Sequence, residues 1–174
     1  MVLPIILYGN PILRKKCLDI DLFSYKKEIN QLIKDMFDTV NQSKGIGLAA
    51  PQIGKNIRIF IVKIPNLNKK NSNGNNNYYE EVFINSKILN TYGKEYKFNE
   101  GCLSIPGIMG DIKRRSNILI EYYDHNLKKK RKNITGLCAR VILHEYDHLN
   151  GKLFIDYFPY KERKKIEKKL IDLL

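Results

Sequence analysis

The stretch from residue 135 to residue 151, TGLCARVILHEYDHLNG, predicts the helix on which the interpretation of this chain depends. Apolar residues recur at helical spacing between Val141 and Leu149, and Asn150-Gly151 is a pair suited to a left-handed helix end. His144 and His148 lie four residues apart and therefore share one face of this helix. The sequence thus predicts a packed helix that presents two imidazoles at one place.

Two more helices and several strands surround this segment in the sequence. One helix is predicted over residues 29–40 after a possible N-cap at Ser24, and an amphipathic one follows Pro159. Strands are predicted at residues 57–64, 78–85, 86–98 and 117–123, the last before a hairpin turn at residues 124–126. Because the strands come in runs, we expect one α+β domain over residues 1–174, with antiparallel sheets around the central helix and helices near both ends.

A polar stretch rich in asparagine covers residues 66–77 and lacks any periodicity. Its position between two apolar runs predicts a long loop that joins two strands inside the domain. A second polar run, Lys128 to Lys132, is predicted to be a solvated turn.

Composition narrows the class of protein without naming a function. A chain of 174 residues with 43% hydrophobic residues can bury a core, so disorder is excluded as the main state. Its formal charge of +13 favours acidic partners such as ribosomes or RNA, but no nucleic-acid motif is present. No apolar run approaches the roughly 18 residues of a membrane span, and the three cysteines are widely spaced. We therefore expect a cytoplasmic protein without membrane contact.

His144-Glu145-Tyr146-Asp147-His148 is an HExxH sequence, which offers two metal ligands and an acid–base group on one helix. Glu145 lies about 100° around the helix from His144 and would border an open coordination position. The third ligand is open at this point. Phe154 stands where a metzincin would have its third histidine, and His125 is expected to be exposed in a turn. The remaining candidates are Asp156, Glu162, Glu167 and Cys102.

Cys102 lies in the sequence NEGCLSIP, residues 99–106, where Gly101 lets the backbone come close to a ligand. One cysteine with two histidines leaves a tetrahedral position free for water, which fits hydrolysis better than a structural site. Cys17 and Cys138 have no such context and are expected to be small buried thiols.

A third stretch, GIGLAAPQ at residues 45–52, is dense in small residues that would let a substrate backbone run alongside. Gln52 could direct its amide toward a developing oxyanion. A tight structural turn would explain the glycines equally well.

Together, GIGLAAPQ, EGCLS and HEYDH resemble the motifs of peptide deformylases in order and spacing. The segments YGNPILR at residues 8–14 and GKLFID at residues 151–156 extend the resemblance over nearly the whole chain. Two departures are the asparagine-rich stretch, which looks like an insertion, and Leu143, where many members carry glutamine.

The resemblance implies a hydrolase that removes the formyl group from nascent N-formylmethionyl chains and releases formate. Cys102, His144 and His148 would bind one divalent metal, ferrous iron in the cell and zinc or nickel in purified protein. Glu145 would take a proton from the attacking water as general base and act next as acid. The amide of Gln52 and the backbone N–H of Leu103 would form the oxyanion hole. Substrate contacts are expected from Ile46, Gly47, Phe98, Gly101, Leu137, Arg140 and Val141.

Other functions predict different behaviour. An HExxH endopeptidase with a carboxylate ligand would cut internal peptide bonds and keep its metal without Cys102. A thiol hydrolase would use Cys102 as nucleophile with His144 as base, and chelators would not affect it. A basic module that binds ribosomes or RNA would have no catalysis, although weak ribosome contact is also compatible with a deformylase.

Overall fold

Five strands form an antiparallel sheet in which each strand pairs with its neighbour along the chain. The computed structural model describes residues 1–70 and 76–173. The strands are β1 (Gly47–Ala49), β2 (Ile59–Lys70), β3 (Asn76–Cys102), β4 (Ile105–Tyr123) and β5 (Lys129–Thr135). The helices are α1 (Lys26–Ser43), α2 (Gly136–Leu149) and α3 (Tyr160–Asp172). This arrangement confirms the predicted α+β class with antiparallel pairing.

Strand β2 explains how one sheet supports two helices. Its side chains alternate between the two faces, as in any strand. Ile59 and Ile61 pack in a cluster with the apolar side of α1, whereas Phe60 and Val62 pack in a cluster with α2. All four residues are fully buried, which accounts for the continuous apolar run in the sequence. The sheet therefore lies between α1 and α2.

The sequence predicted the C-terminal end of α2 correctly, but not the N-terminal start of α1. Gly151, just after α2, has a φ of +70°, as the predicted left-handed helix end requires. A Cβ at this position would lie 2.4 Å from the backbone oxygen of Arg14, so glycine also allows that close approach. The predicted N-cap of α1 is wrong, because α1 begins after Tyr25 and the Ser24 hydroxyl donates to the Asp21 carboxylate.

Several predicted strand limits are wrong. The segments predicted at residues 78–85 and 86–98 belong to one bulged strand, β3. Strand β4 begins at Ile105, twelve residues before the predicted start, because its first half is too polar to show a clear apolar alternation. The predicted loop at residues 66–77 is shorter than expected, since β2 and β3 pair from Asn66 and Asn77 to Lys70 and Asn76. The rest of it, residues 71–75, lies outside the described residues.

The lysine run also differs from its prediction as a solvated turn, because most of it forms β5. Its cations pair with carboxylates on β4 and β3, as with Lys129 and Glu121 at 2.5 Å and Lys132 and Glu81 at 3.4 Å. The turn lies earlier, where Asp124 accepts hydrogen bonds from the backbone N–H groups of Asn126 and Lys128 at 2.9 and 3.0 Å. Cross-strand ion pairs therefore keep a basic segment in the sheet.

Helix α3 follows Pro159 as predicted and docks through one side. Leu170 is buried, and it packs in a third apolar cluster with residues that include Phe154, Phe158 and Ile105. The other side carries the lysines. Within the described ranges, no helix is both long and apolar enough to cross a membrane.

Candidate metal centre and substrate cleft

Three segments converge on a cavity of about 380 Å³. Helix α2 contributes His144 and Glu145, the end of β3 contributes Cys102, and the segment from β1 into the next short helix contributes Gly47 and Gln52. Strand β1 is an edge strand, so its outer side borders the cavity without a neighbouring strand. The three motifs that are far apart in the sequence therefore meet at one cleft.

A cysteine and two histidines form a possible metal site at the base of this cleft. The candidate ligand atoms of Cys102, His144 and His148 all lie within 4.8 Å of one another. The Cys102 sulfur is 3.4 Å from Nε2 of His148, which is only 1% exposed. This donor set fits a divalent transition metal and leaves one coordination position for a small ligand.

The other candidates for the third ligand lie elsewhere. Asp156 forms an ion pair with Arg14, at 2.7 Å between Oδ2 and Nη1. Glu162 and Glu167 belong to α3, where Glu167 pairs with neighbouring basic residues. His125 is exposed beside the turn that follows β4. Among the described residues, Cys102 is therefore the candidate that joins the two histidines.

The surroundings shift the pKa values of the two histidines in opposite directions. Burial opposes the charged form of His144, but hydrogen bonds with Cys102 and Glu100 outweigh it and raise the pKa of this imidazole to about 10. Burial, together with the nearby charge of His144, lowers the pKa of His148. The neutral imidazole that this shift favours at His148 is the form that binds a metal ion.

Glu145 lies beside the donor set and is 5% exposed. Burial raises the pKa of its carboxyl group to about 7. Its Oε2 atom has no hydrogen-bond partner among the described residues, so one oxygen is available to a molecule in the cleft. A Cβ at Gly47 would lie 2.6 Å from Oε1 of Glu145, so a glycine is needed for β1 to pass this close to the carboxylate.

Gln52 is held in a single orientation. Its Oε1 accepts a hydrogen bond from the backbone N–H of Ala49 at 2.9 Å. Its Nε2 therefore points the other way, and lies 3.5 Å from the Cys102 sulfur and 3.2 Å from the Ser104 hydroxyl. Gln52 is 1% exposed, and Leu103 follows Cys102 on the cleft wall. The site thus has a buried N–H donor directed at the candidate ligand.

All the substrate contacts predicted from the sequence line the cleft. They are Ile46, Gly47, Phe98, Gly101, Leu137, Arg140 and Val141. Arg140 is buried, and its guanidinium donates to Glu100 at 2.9 Å and to the backbone oxygen of Ile112 at 2.6 Å. The guanidinium group therefore forms its hydrogen bonds with groups inside the protein. Met109 and Lys44 also line the cleft, but their sequence context carried no signal for it.

A buried network behind the histidines was missed by sequence reasoning. Glu100 lies 2.9 Å from Nδ1 of His144 and pairs with Nε of Arg114 at 2.8 Å. Arg114 also donates to Asp147 at 2.8 Å, and Asp147 accepts from the Tyr157 hydroxyl at 2.8 Å. Glu100 belongs to the EGCLS motif, but Arg114 lies in a basic part of β4 that the sequence did not predict to be a strand. Its partners become visible only in three dimensions.

The two other cysteines lie outside this group of residues. Cys17 is 3% exposed, and burial raises the pKa of its thiol to about 11. Cys138 lies on α2 and is only partly buried, which differs from the expected buried thiol; it packs against the core cluster that contains Phe60 and Val62.

Comparison with known proteins shows which family this chain resembles. Residues 2–164 match the family model described as polypeptide deformylase. A peptide deformylase from Karelsulcia muelleri is 54% identical over 156 residues, which is 90% of this chain and 78% of that protein. One from Flavobacterium psychrophilum is 42% identical over 181 residues, covering 100% of this chain and 91% of the relative.

Solved structures agree with the sequence relatives. The crystal structure of a peptide deformylase from Ehrlichia chaffeensis superposes with a TM-score of 0.86 at 31% identity, over 99% of this chain and 96% of that one. The corresponding structure from Legionella pneumophila gives a TM-score of 0.84 at 32% identity, over 99% and 95%. The likeness therefore extends over the whole fold and includes the elements that build the cleft.

Proposed function

This chain belongs to the polypeptide deformylase family and removes the formyl group from N-formylmethionyl peptides in a metal-dependent hydrolysis, and we propose which of its residues perform each step. The observation that carries the proposal is the Cys–His–His donor set beside a buried carboxylate with one unpartnered oxygen. Cys102, His144 and His148 hold the metal. Glu145 moves the protons.

The acid–base role of Glu145 follows from its position. When bound, the divalent ion lowers the pKa of a water molecule toward neutrality and polarises the formyl oxygen. Glu145 accepts the proton that the attacking water loses and delivers it to the nitrogen of the leaving amine. The amide bond of the formyl group breaks, and formate and a free N-terminal amine are the products. Burial keeps bulk water from competing for this proton.

Gln52 and the backbone of Leu103 stabilise the negative charge that develops on the formyl oxygen. The hydrogen bond from Ala49 to Oε1 of Gln52 directs the Nε2 donor into the cleft before substrate binds. A donor that is already oriented needs no reorganisation as charge develops. Leu103 adds its backbone N–H directly after the ligand Cys102.

The peptide binds in an extended form at the free edge of β1. The Ile46 backbone oxygen already accepts from the Lys63 N–H at 2.8 Å, which leaves the opposite side of this segment for a substrate backbone. Gly101 borders the cleft from β3 and supplies the facing backbone. The methionine side chain enters the apolar part of the cleft, where Phe98, Leu137 and Val141 form the walls.

Ferrous iron is the metal that we propose for the protein in the cell. A thiolate with two imidazoles suits iron, zinc and nickel alike, so zinc or nickel can occupy the site after purification. We also propose a cytoplasmic location, where a reducing environment would keep the Cys102 thiol free for the metal.

The test is formate release from a formyl-Met peptide by protein that has been loaded with metal under anaerobic conditions. Glu145→Gln keeps the shape of the side chain but removes proton acceptance, so we expect kcat to fall by about 10²–10⁴-fold with unchanged metal content. A matched unformylated peptide serves as the control for internal cleavage. Cleavage of that peptide without formate release from the first would contradict the assignment.

A weak contact with ribosomes is the second part of the proposal. Helix α3 carries six basic residues, at positions 161, 163, 164, 165, 168 and 169, whereas most of the β5 cations are already paired within the sheet. A contact that depends on such charges weakens as salt rises. Cosedimentation with ribosomes that does not change between low and high salt would contradict it.

A further inference from the structure

A second cavity, of about 250 Å³, adjoins the catalytic cleft. The two cavities share the segment Lys44 to Ile46, which forms a ridge between them. The far wall of the second cavity comes from Lys63 and Pro65 on β2 and Tyr78 on β3. We call this cavity the lysine pocket. A peptide that leaves the catalytic cleft across the ridge reaches it next.

The charges at the lysine pocket suit an acidic group. The side chain of Lys44 is exposed at the ridge and pairs with no carboxylate in the described parts of the chain. The Nζ atom of Lys63 is held 2.7 Å from Oδ1 of Asn41, 3.3 Å from Oε1 of Glu80 and 4.7 Å from the centre of the Tyr78 ring. Two lysines against one glutamate leave a net positive charge at this pocket.

The ridge residues that precede β1 indicate which substrate residue arrives there. The reacting end of the peptide lies at Gly47, because this residue is in contact with the Glu145 carboxylate. Ile46, Gly45 and Lys44 precede it along the ridge, and Lys44 ends α1 in the left-handed conformation, with a φ of +54°. An extended peptide rises about 3.3 Å per residue, so two residues after methionine it has moved about 7 Å out of the cleft across this ridge. We therefore place its third residue, counting methionine as the first, beside Lys44.

We propose that the lysine pocket binds an acidic side chain at the third position of the substrate and that Lys44 is the residue that determines this preference. The inference rests on the extended binding mode proposed above. Lys63 contributes charge from a fixed position. The exposed side chain of Lys44 is not held in this way and closes over the carboxylate of the substrate.

The test uses three formyl-Met-Ala-Xaa-Ser peptides in which Xaa is Glu, Gln or Lys, with the metal-loaded protein. We expect kcat/KM for the Glu peptide to exceed that for the Lys peptide about fourfold at low salt, the scale of one exposed ion pair. The ratio should fall close to 1 at 1 M salt, where the screening length is about 3 Å. Lys44→Gln should remove the preference, and Lys44→Glu should reverse it.

Lys94→Glu is the matched control, because it makes the same charge change at an exposed position that does not line the cleft or the lysine pocket. It should keep the wild-type ratio. A ratio that is equal in wild type and Lys44→Gln, or that follows net charge in Lys94→Glu, overturns the proposal. Affinities of the same peptides for Glu145→Gln protein separate the two proposals, since the preference should appear in binding even if the catalytic assignment fails.

Discussion

Replacing Arg114 by methionine should destabilise the fold and weaken metal binding, although Arg114 does not contact any candidate ligand. The side chain of Arg114 is 5% exposed. It donates to both carboxylate oxygens of Glu100, at 2.8 and 3.0 Å, and to Asp147 at 2.8 Å. Methionine fills much of the same space but leaves both carboxylates without this cation. The variant therefore tests the charge more than the packing.

The magnitude follows from the desolvated charges that remain. Removing one partner of a buried ion pair costs about 3–5 kcal/mol. Glu100 keeps Arg140 and Nδ1 of His144, each at 2.9 Å, and Asp147 keeps the Tyr157 hydroxyl at 2.8 Å, so each carboxylate retains at least one partner. We therefore expect a loss near the lower end, about 3 kcal/mol in the free energy of unfolding. Glu100 also orients His144, so metal affinity should fall about 10–100-fold.

Urea unfolding of the metal-loaded and metal-free proteins measures the stability, and competition with a chelator measures the affinity. Arg115→Met is the matched control, because the neighbouring Arg115 is exposed and, among the residues that the structure describes, donates to the backbone oxygen of Gly93 and pairs with no carboxylate. It should change the free energy of unfolding by less than about 0.5 kcal/mol. A change below about 1 kcal/mol for Arg114→Met, with wild-type metal affinity, would refute the reasoning.

Two further predictions concern the Glu145 carboxylate and the turn after β4. Gly47→Ala places a methyl group 2.6 Å from Oε1 of Glu145, so the carboxylate must move and kcat should fall at least about tenfold at unchanged metal content; an unchanged kcat would contradict this contact. Asp124 is desolvated, but hydrogen bonds from Lys128, Lys130 and Asn126 outweigh that effect and hold the pKa of its carboxyl group below the usual 3.8. Because the folded pKa is the lower one, this stabilisation is complete above about pH 5 and is lost as the pH falls through 3.8 and below. Asp124→Asn should therefore cost on the order of 1 kcal/mol at pH 7, and the difference from wild type in urea unfolding should shrink toward pH 2. A difference that does not depend on pH would contradict the role of the charge.

The sequence was most informative where local chemistry and local geometry coincide. HEYDH needs only the period of a helix to bring His144 and His148 together, and that period is a property of the backbone. Gly151 is a similar case, because the left-handed end of α2 depends on the residue itself. The apolar run in β2 likewise predicted a buried strand, since alternate side chains meet α1 and α2 on opposite faces.

The sequence was least informative where polar residues acquire their partners from distant segments. Arg114, the lysines of β5 and the first half of β4 all look solvated in a linear reading, yet they are paired or buried once the sheet has formed. Lys44 is a further example, since its place between two cavities depends on how α1 ends beside β1. Such pairings depend on which strands become neighbours, and no short window of sequence carries that information.

The sequence by itself therefore determined the helix with its two histidines, the α+β class and the family resemblance of the three motifs. The resemblance already implied Cys102 as the third ligand, and the tertiary structure places it, and not Asp156, beside the histidines. Only the tertiary structure shows that Glu100 and Arg114 lie behind them. The physical reason is the separation along the chain over which each interaction acts. Helix period and turn preference act over a few residues, whereas a buried charge is stable only where the fold brings it an opposite charge.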